Sequence, residues 1–561
     1  MIRLPRRPTE PYLRYYSLGG LGEVGMNCAV FESKGRLLVV DCGVTFPDSM
    51  AYGIDLIVPD FQLLHQEADR IEALVITHGH MDHIGAVPYL LEELDIPVYG
   101  PALAIEMIRR TLAERGLLEE CELHVYDEED VLQLGPFRLE FPPVNHSIPH
   151  SHSLVIQTEV GTFMHTGDFK VDHQPVGEAP FNVARFNEIG RRGVRALFSD
   201  STNAEVDGHC PSERTAKNAL QQTIREQSGR IFVALFSSNV FRMHSVLEAA
   251  VQTGRSVVLL GRSVENTLYA AQRVGAITFP AGLNIIDSDQ ARNLPDSELL
   301  FICTGTQAEP RAALTRLAND DYPRIKLREG DAVLFSARII PGNERWVTAV
   351  YDLLVRKNIR LITPDDAPIH ASGHGFREDL RLMMQMITPE SIVPVHGDHR
   401  FQRAHAELAA ESGIHDHFII DNGQILEFTK DETKVVGQFE TTRRVIDGTL
   451  LDFIDGPAFR QRRQIARSGV VNITILAGAE SGLFLRRPDI NAMGAFIDDE
   501  DFQGNVTQVI EDTIIRTWDR LSGDAQRDEN AAAEAIRIAV RKQITTETQR
   551  RPIVIVRVYS L

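Results

Sequence analysis

Apolar positions along this chain recur with two spacings. Over residues 1 to about 210 they gather in short strand-like runs separated by glycine-rich stretches, which predicts many short strands joined by glycine-rich turns. Residues 73–77 and 137–144 are of this kind, and 391–395 repeats the pattern far downstream. Between about 211 and 360 the spacing changes. Helix-like stretches at 213–226 and 245–253 alternate with apolar strands at 231–236, 256–260, 298–303 and 332–336, which predicts a parallel α/β layer. Residues 361–445 read as a return to the first domain. Residues 446–460, from Asp447-Gly448-Thr449 to Gly456-Pro457, read as a linker by composition. A small α/β domain follows over 461–561. It has a strand at 469–476, then a helix with Val506, Val509, Ile510, Ile514, Trp518 and Leu521 on one face, a second helix at 531–544 and a closing strand at 552–559.

Composition narrows the classes. A chain of 561 residues with 43% hydrophobic positions can bury several cores, and three domains are expected. Its net charge of −20 argues against unspecific coating of nucleic acid, where Lys and Arg dominate. A lined cleft can still differ in sign from the whole. Arg109-Arg110, the arginines at 191–195 and those at 460–463 read as solvated charged faces. The five cysteines are scattered without a C-x-x-C pair and read as reduced core residues. With no signal-like start and no apolar span of membrane length, a soluble cytoplasmic protein is expected.

One run carries chemistry. Thr77-His78-Gly79-His80-Met81-Asp82-His83 follows the predicted strand and precedes a helix-like stretch from Ile84, so His78, His80, Asp82 and His83 sit on a strand-to-helix loop. Imidazole nitrogen with carboxylate oxygen at this density suits zinc.

This H-x-H-x-D-H run resembles the metal-binding motif of the metallo-β-lactamase superfamily, and that resemblance directs the search downstream. Strand-like runs end at His146, at Asp168 (Thr166-Gly167-Asp168) and at His396 (Pro394-Val395-His396-Gly397). With the first four, these make a set right for two zinc ions with Asp168 as the bridge, and manganese or magnesium as supporting ions. Small hydrolases of this fold need only about 200–300 residues. The long interval from Asp168 to His396 implies an insertion. There and beyond, the chain resembles the β-CASP nucleases, most closely the bacterial ribonuclease J group. The resemblance is carried by Leu18-Gly19-Gly20-Leu21-Gly22-Glu23-Val24-Gly25-Met26-Asn27, by Asp41-Cys42-Gly43-Val44-Thr45-Phe46-Pro47, and by Phe198-Ser199-Asp200-Ser201-Thr202-Asn203-Ala204. It continues in Cys303-Thr304-Gly305-Thr306-Gln307-Ala308-Glu309-Pro310, Ile340-Pro341-Gly342-Asn343-Glu344 and His370-Ala371-Ser372-Gly373-His374. The family usually has Asp where this chain has His150, and Gly where it has Ala308.

The resemblance implies an αββα metallo-β-lactamase sandwich at 1–210 and 361–445, a β-CASP domain at 211–360, a linker at 446–460 and a C-terminal α/β domain at 461–561. It pairs Asp200 with His374, which then protonates the departing 3′ oxygen or neutralises phosphate charge. Asp82 is both ligand and orienter of the nucleophile. Substrate contacts are expected from Ser237, Ser238, Asn239 and Arg262, from His370, Ala371, Ser372, Gly373 and His374, and from Arg242. The implied enzyme is a zinc-dependent ribonuclease acting 5′ to 3′ on single-stranded RNA with a 5′-monophosphate, with internal cleavage as a second mode. Roles in mRNA decay and ribosomal RNA processing, a homodimer or homotetramer, and no membrane association complete the expectation. A DNA-directed relative, a small-ester hydrolase and a non-catalytic RNA-binding subunit are the rival readings. All seven ligands being present weighs against the last.

Overall fold

A computed structural model describes residues 2–47, 53–340, 342–448, 450–495 and 500–561, without the side chains of 500–505. Pro341 of the Ile340–Glu344 run and Thr449 of the 446–460 stretch lie outside the described residues. The chain forms two compact units, one of residues 1–45 and 58–442, the other of 46–57 and 443–561.

In the first unit two sheets face each other. One has eight strands, with Tyr12–Gly19 between Cys28–Ser33 and Gln424–Thr429, and then Arg36–Val40, Ile71–Val75, Val98–Pro101 and Leu123–Tyr126 toward the far edge. The other has seven, including Phe137–Glu140, Leu154–Thr158, Gly161–His165, Ala196–Asp200 and Ser391–Val395. Alternate residues of both inner faces make one core: Tyr15, Phe31, Val40 and Val75 meet Phe137, Phe163, Phe198 and Val393. Phe198 lies 4.4 Å from Tyr15 and 5.1 Å from Phe31 between ring centroids, and burying each such ring contributes about 2 kcal/mol. Helices Val183–Arg191, Arg377–Ile387 and His399–Glu411 cover the outer face of the second sheet through Phe186, Ile189, Met383, Met384 and Leu408. This is the αββα sandwich.

Ala196–Asp200 and Ser391–Val395 pair directly and in parallel, from Ala196 opposite Ser391 to Asp200 opposite Val395. The inserted layer lies between them, and helix Arg377–Ile387 returns the chain to the sandwich before the second of the two strands. The insertion holds a five-stranded, wholly parallel sheet in the order Ser256–Leu260, Leu299–Cys303, Ile231–Ala234, Ala332–Phe335, Arg360–Ile362. Helices Val240–Gln252 and Arg262–Arg273 lie on one face and Ala313–Ala318 and Glu344–Arg356 on the other. Val240–Gln252 starts five residues before the predicted helix, because Asn239 caps it by accepting from Arg242 N at 3.0 Å.

In the second unit the stretch read as a linker is ordered. Arg443–Asp447 and Leu450–Phe453 form a hairpin, and helix Pro457–Ser468 takes the arginine- and glutamine-rich segment. Composition suggested a linker, whereas pairing and the burial of Val445, Ile446 and Phe459 decide the structure. Beyond it, strands Asp489–Met493, Val470–Ala477 and Ile553–Ser560 form a sheet whose one face is covered by Glu500–Trp518 and Glu529–Thr548. Val506, Ile510, Ile514 and Trp518 are buried there, the stripe expected from the sequence. Among the described residues no helix is long and apolar enough to cross a membrane.

Candidate metal centre

Strand ends gather the site. His78, His80, Asp82 and His83 follow Ile71–Val75 of one sheet, while Asp168, Asp200 and His396 stand at the carboxyl ends of three adjacent parallel strands of the other. The glycine-rich runs near the amino terminus brace this junction. Asn27 N donates to Asp82 O at 2.9 Å, Cys42 N to His83 O at 2.7 Å, Val44 N to Met81 O at 3.1 Å, and His396 N to Gly20 O at 3.0 Å. A side chain at Gly43 would put its Cβ 1.6 Å from Asp82 O, so only glycine permits the approach.

Two donor sets share one aspartate. His78, His80, His146 and Asp168 form the first, and Asp82, His83, Asp168 and His396 the second, with the ligand atoms of each within 4.8 Å of one another. His78 Nε2 and His146 Nε2 lie 3.1 and 3.0 Å from His80 Nδ1. His83 Nε2 is 3.1 Å and His396 Nδ1 3.0 Å from the Asp168 carboxylate.

Hydrogen bonds behind the ligands fix their tautomers. Gly373 O can only accept, so His146 Nδ1 donates to it at 2.7 Å and Nε2 keeps its lone pair. A Cβ on Gly373 would press to 2.7 Å from His146 Cε1, which explains the small residue. Asp41 governs the other side. Its carboxylate takes Thr77 N, Thr77 Oγ1 and His83 Nδ1, each at 2.8 Å. With its proton committed to Asp41, Thr77 Oγ1 accepts from His78 Nδ1 at 3.0 Å and leaves His78 Nε2 bare. Asp41 was part of a recognised run but had no role in the sequence reading. An aspartate closing an apolar strand is the only signal it gives.

The histidines of the first donor set are electrostatically suited to a cation, whereas at His83 and His396 burial is outweighed by Asp168, which draws both the other way, well above the usual imidazole range. Burial pushes His78 and His146 well below the usual imidazole range and His80 down to about 4, so all three offer lone pairs at neutral pH. Burial would raise the Asp168 carboxyl, but His396, His83 and His374 outweigh it and hold it well below the usual range. His396 Nε2 is buried without a hydrogen-bond partner, 3.3 Å from Asp82 Oδ2. The bare Nε2 atoms of His78 and His146, both turned to His80 Nδ1, beside such an orphan, fit a pair of cations.

Asp200 Oδ2 accepts from His374 Nδ1 at 2.7 Å, and its Oδ1 takes Thr202 N and Oγ1 at 3.0 and 2.8 Å. His374 Nε2 then lies 4.0 Å from Asp168 Oδ2. Burial opposes protonation of His374, but Asp200 and Asp168 raise its pKa above the ordinary value.

The expected substrate residues divide. Ser372 to His374 run beside the metal ligands, with Ser372 Oγ accepting His374 N at 3.1 Å. Ser237, Ser238 and Arg262 stand at the carboxyl end of the inserted sheet, and none is hydrogen-bonded to the cluster among the described residues. Asn239 is committed to its helix cap. Arg242, expected as a phosphate contact, is instead fully buried with every donor used: Glu213 takes Nε and Nη2 at 2.8 and 2.6 Å, His370 Nδ1 and Ser336 O take Nη1, and Ala371 O takes Nη2. It holds the floor under His370 and Ala371. Both family departures sit at left-handed backbone, His150 at φ 60° and Ala308 at φ 59°, where glycine or a short polar residue is favoured. His150 lies outside both donor sets.

Comparison with known proteins decides the family. Family models match as the metallo-β-lactamase superfamily over 21–186, the β-CASP domain of ribonuclease J over 228–354, the RNA specificity domain of Zn-dependent metallo-hydrolases over 367–419, and the ribonuclease J C-terminal domain over 457–561. Ribonuclease J of Synechocystis sp. is 35% identical over 553 residues, covering 97% of this chain and 86% of that one. Ribonuclease J 1 of Streptococcus pyogenes is 35% identical across 99% and 98%, and ribonuclease J of Mycolicibacterium smegmatis 36% across 98% of each. The chain belongs to the ribonuclease J family. It is a metal-dependent hydrolytic ribonuclease. A solved structure of a protein of unknown function from Enterococcus faecalis V583 shares the fold alone, with TM-score 0.54 and 18% identity over 74% of this chain and all of that one.

Proposed function

We propose that this ribonuclease J family member holds two zinc ions and degrades single-stranded RNA from a 5′-monophosphate end in the 5′-to-3′ direction, with internal cleavage as a second mode. The observation that carries this reading is the pair of donor sets joined at Asp168 with the Asp200–His374 couple beside them. Five histidines and two aspartates favour zinc over the all-oxygen cations. Ions bound there supply Lewis acidity and make water a nucleophile at neutral pH.

The chain's own groups do the rest. The Asp82 carboxylate orients the attacking water toward phosphorus. As the P–O3′ bond breaks, His374 Nε2 gives its proton to the departing 3′ oxygen, while Asp200 stabilises the imidazolium through Nδ1. The Ser372–His374 loop offers a hydroxyl and backbone N–H groups to phosphate oxygens. Because the remaining RNA again carries a 5′-phosphate, each cut regenerates the end that is recognised. In the cell this activity serves mRNA decay and ribosomal RNA processing in the cytoplasm.

The test is a time course on 3′-labelled RNA bearing a 5′-monophosphate or a 5′-triphosphate. Loss of only the monophosphorylated RNA, without discrete intermediates, is expected. Equal cutting of both into defined fragments would remove the end preference.

The C-terminal sheet supports self-association. Its uncovered face exposes Met493, Ile555 and Tyr559. A homodimer or homotetramer is expected, and a sedimentation mass near that of one 62.7 kDa chain would reject it.

A further inference from the structure

Arg338 follows the inserted-domain strand Ala332–Phe335 and is exposed. Its backbone is fixed: its carbonyl accepts from Gln307 Nε2 at 3.0 Å, and Gln307 Oε1 takes Ile340 N at 2.8 Å. Its side chain crosses to the sandwich, where Nη1 donates to Asn203 Oδ1 at 2.8 Å. Asn203 is buried, and its Nδ2 donates to Ser372 Oγ at 3.0 Å and His374 O at 3.2 Å. One amide therefore ties the guanidinium to the loop that carries His374.

The nature of that tie matters. Arg192, Arg230 and Arg242 each meet a carboxylate. Among the described residues no acidic side chain pairs with Arg338, in a chain of 78 acidic and 58 basic residues. Asn203 orients the guanidinium without neutralising it. After burial, the charges of Arg242, Lys170 and Arg338, in that order, depress the proton affinity of His370, so the charge of Arg338 reaches the 370–374 run. A held but unpaired guanidinium, with donors to spare beside a phosphate-handling loop, suits a phosphate oxygen.

We propose that Arg338 is a further RNA-binding residue of this site, clamping a phosphate of the strand beside the Ser372–His374 loop. The inference rests on the RNA cleft proposed above and adds to it a residue outside the run at 370–374.

The experiment compares Arg338→Gln and Arg338→Lys with the parent metal-loaded enzyme on RNAs carrying a 5′-monophosphate or a 5′-hydroxyl. Arg338→Gln should raise KM about tenfold, the loss of one charge-assisted contact, with kcat within about twofold. The log–log salt dependence of kcat/KM should flatten by about 0.7, one phosphate on a single strand. Arg338→Lys should recover part of both. An effect confined to 5′-monophosphate RNA identifies the terminal phosphate, and an effect on both RNAs a backbone phosphate; either supports the clamp. If the parent enzyme ignores the 5′ end, the end-sensing reading fails while the KM shift still supports Arg338. Unchanged KM and salt slope, a loss in kcat alone, or equal behaviour of the Lys and Gln variants would overturn it.

Discussion

His80→Ala lowers RNA turnover by about a thousandfold or more, the several kcal/mol that metal-assisted charge stabilisation supplies. His80 is the most exposed of the first donor set, and its side-chain partners are His78, His146 and Ser147, all within the site. None of the hydrophobic clusters depends on it, so the thermal melt of the metal-free variant should stay close to that of the metal-free parent. Removing His80 leaves that set with His78, His146 and Asp168, while the set of Asp82, His83, Asp168 and His396 is intact. Elemental analysis should therefore find about half the metal of the parent enzyme. Near-normal turnover in a variant that has lost metal would sink the mechanism.

His374→Ala slows cleavage by about 10²–10⁴-fold, the usual worth of a positioned general acid. The cause can be separated from simple loss of binding. RNA with sulfur in place of the bridging 3′ oxygen leaves as a thiolate and needs no proton, so this substrate should recover most of the lost rate. Asp200→Asn supplies the pH test. The Asp200 charge raises the His374 pKa against burial. Without it the imidazolium gives up its proton at lower pH, and the basic limb of the kcat profile moves to lower pH. A limb that stays in place, or a thio substrate that is as slow as the normal one, would leave His374 without an acid role.

What was legible in the sequence was local. The spacing of His78, His80, Asp82 and His83 places four donors on one loop, whatever the rest of the chain does. Strand ends at His146, Asp168 and His396 pointed to one edge because apolar runs stop there, and the sheets bring them to that edge. Partnership across the fold was harder to read. Asp41 orients two ligands from 36 or more positions away, through contacts that no spacing encodes. Arg242 has the composition of a phosphate contact, yet Glu213 neutralises it in the interior. The 446–460 segment has a linker's residues but pairs as a hairpin, since strand pairing depends on the partner rather than on composition.

The strand order has a consequence for biosynthesis. Tyr12–Gly19 finds one neighbour in Gln424–Thr429, and Ala196–Asp200 finds one in Ser391–Val395. Both sheets thus stay open along an edge until most of the chain has been made. At about 5–20 residues per second, the span from Asp168 to His396 takes on the order of ten to fifty seconds to translate. During that time a growing chain owns six ligands and lacks the seventh, and His374 is added only shortly before it. A chain assembled in this order has its full ligand set only once residue 396 of 561 has been made.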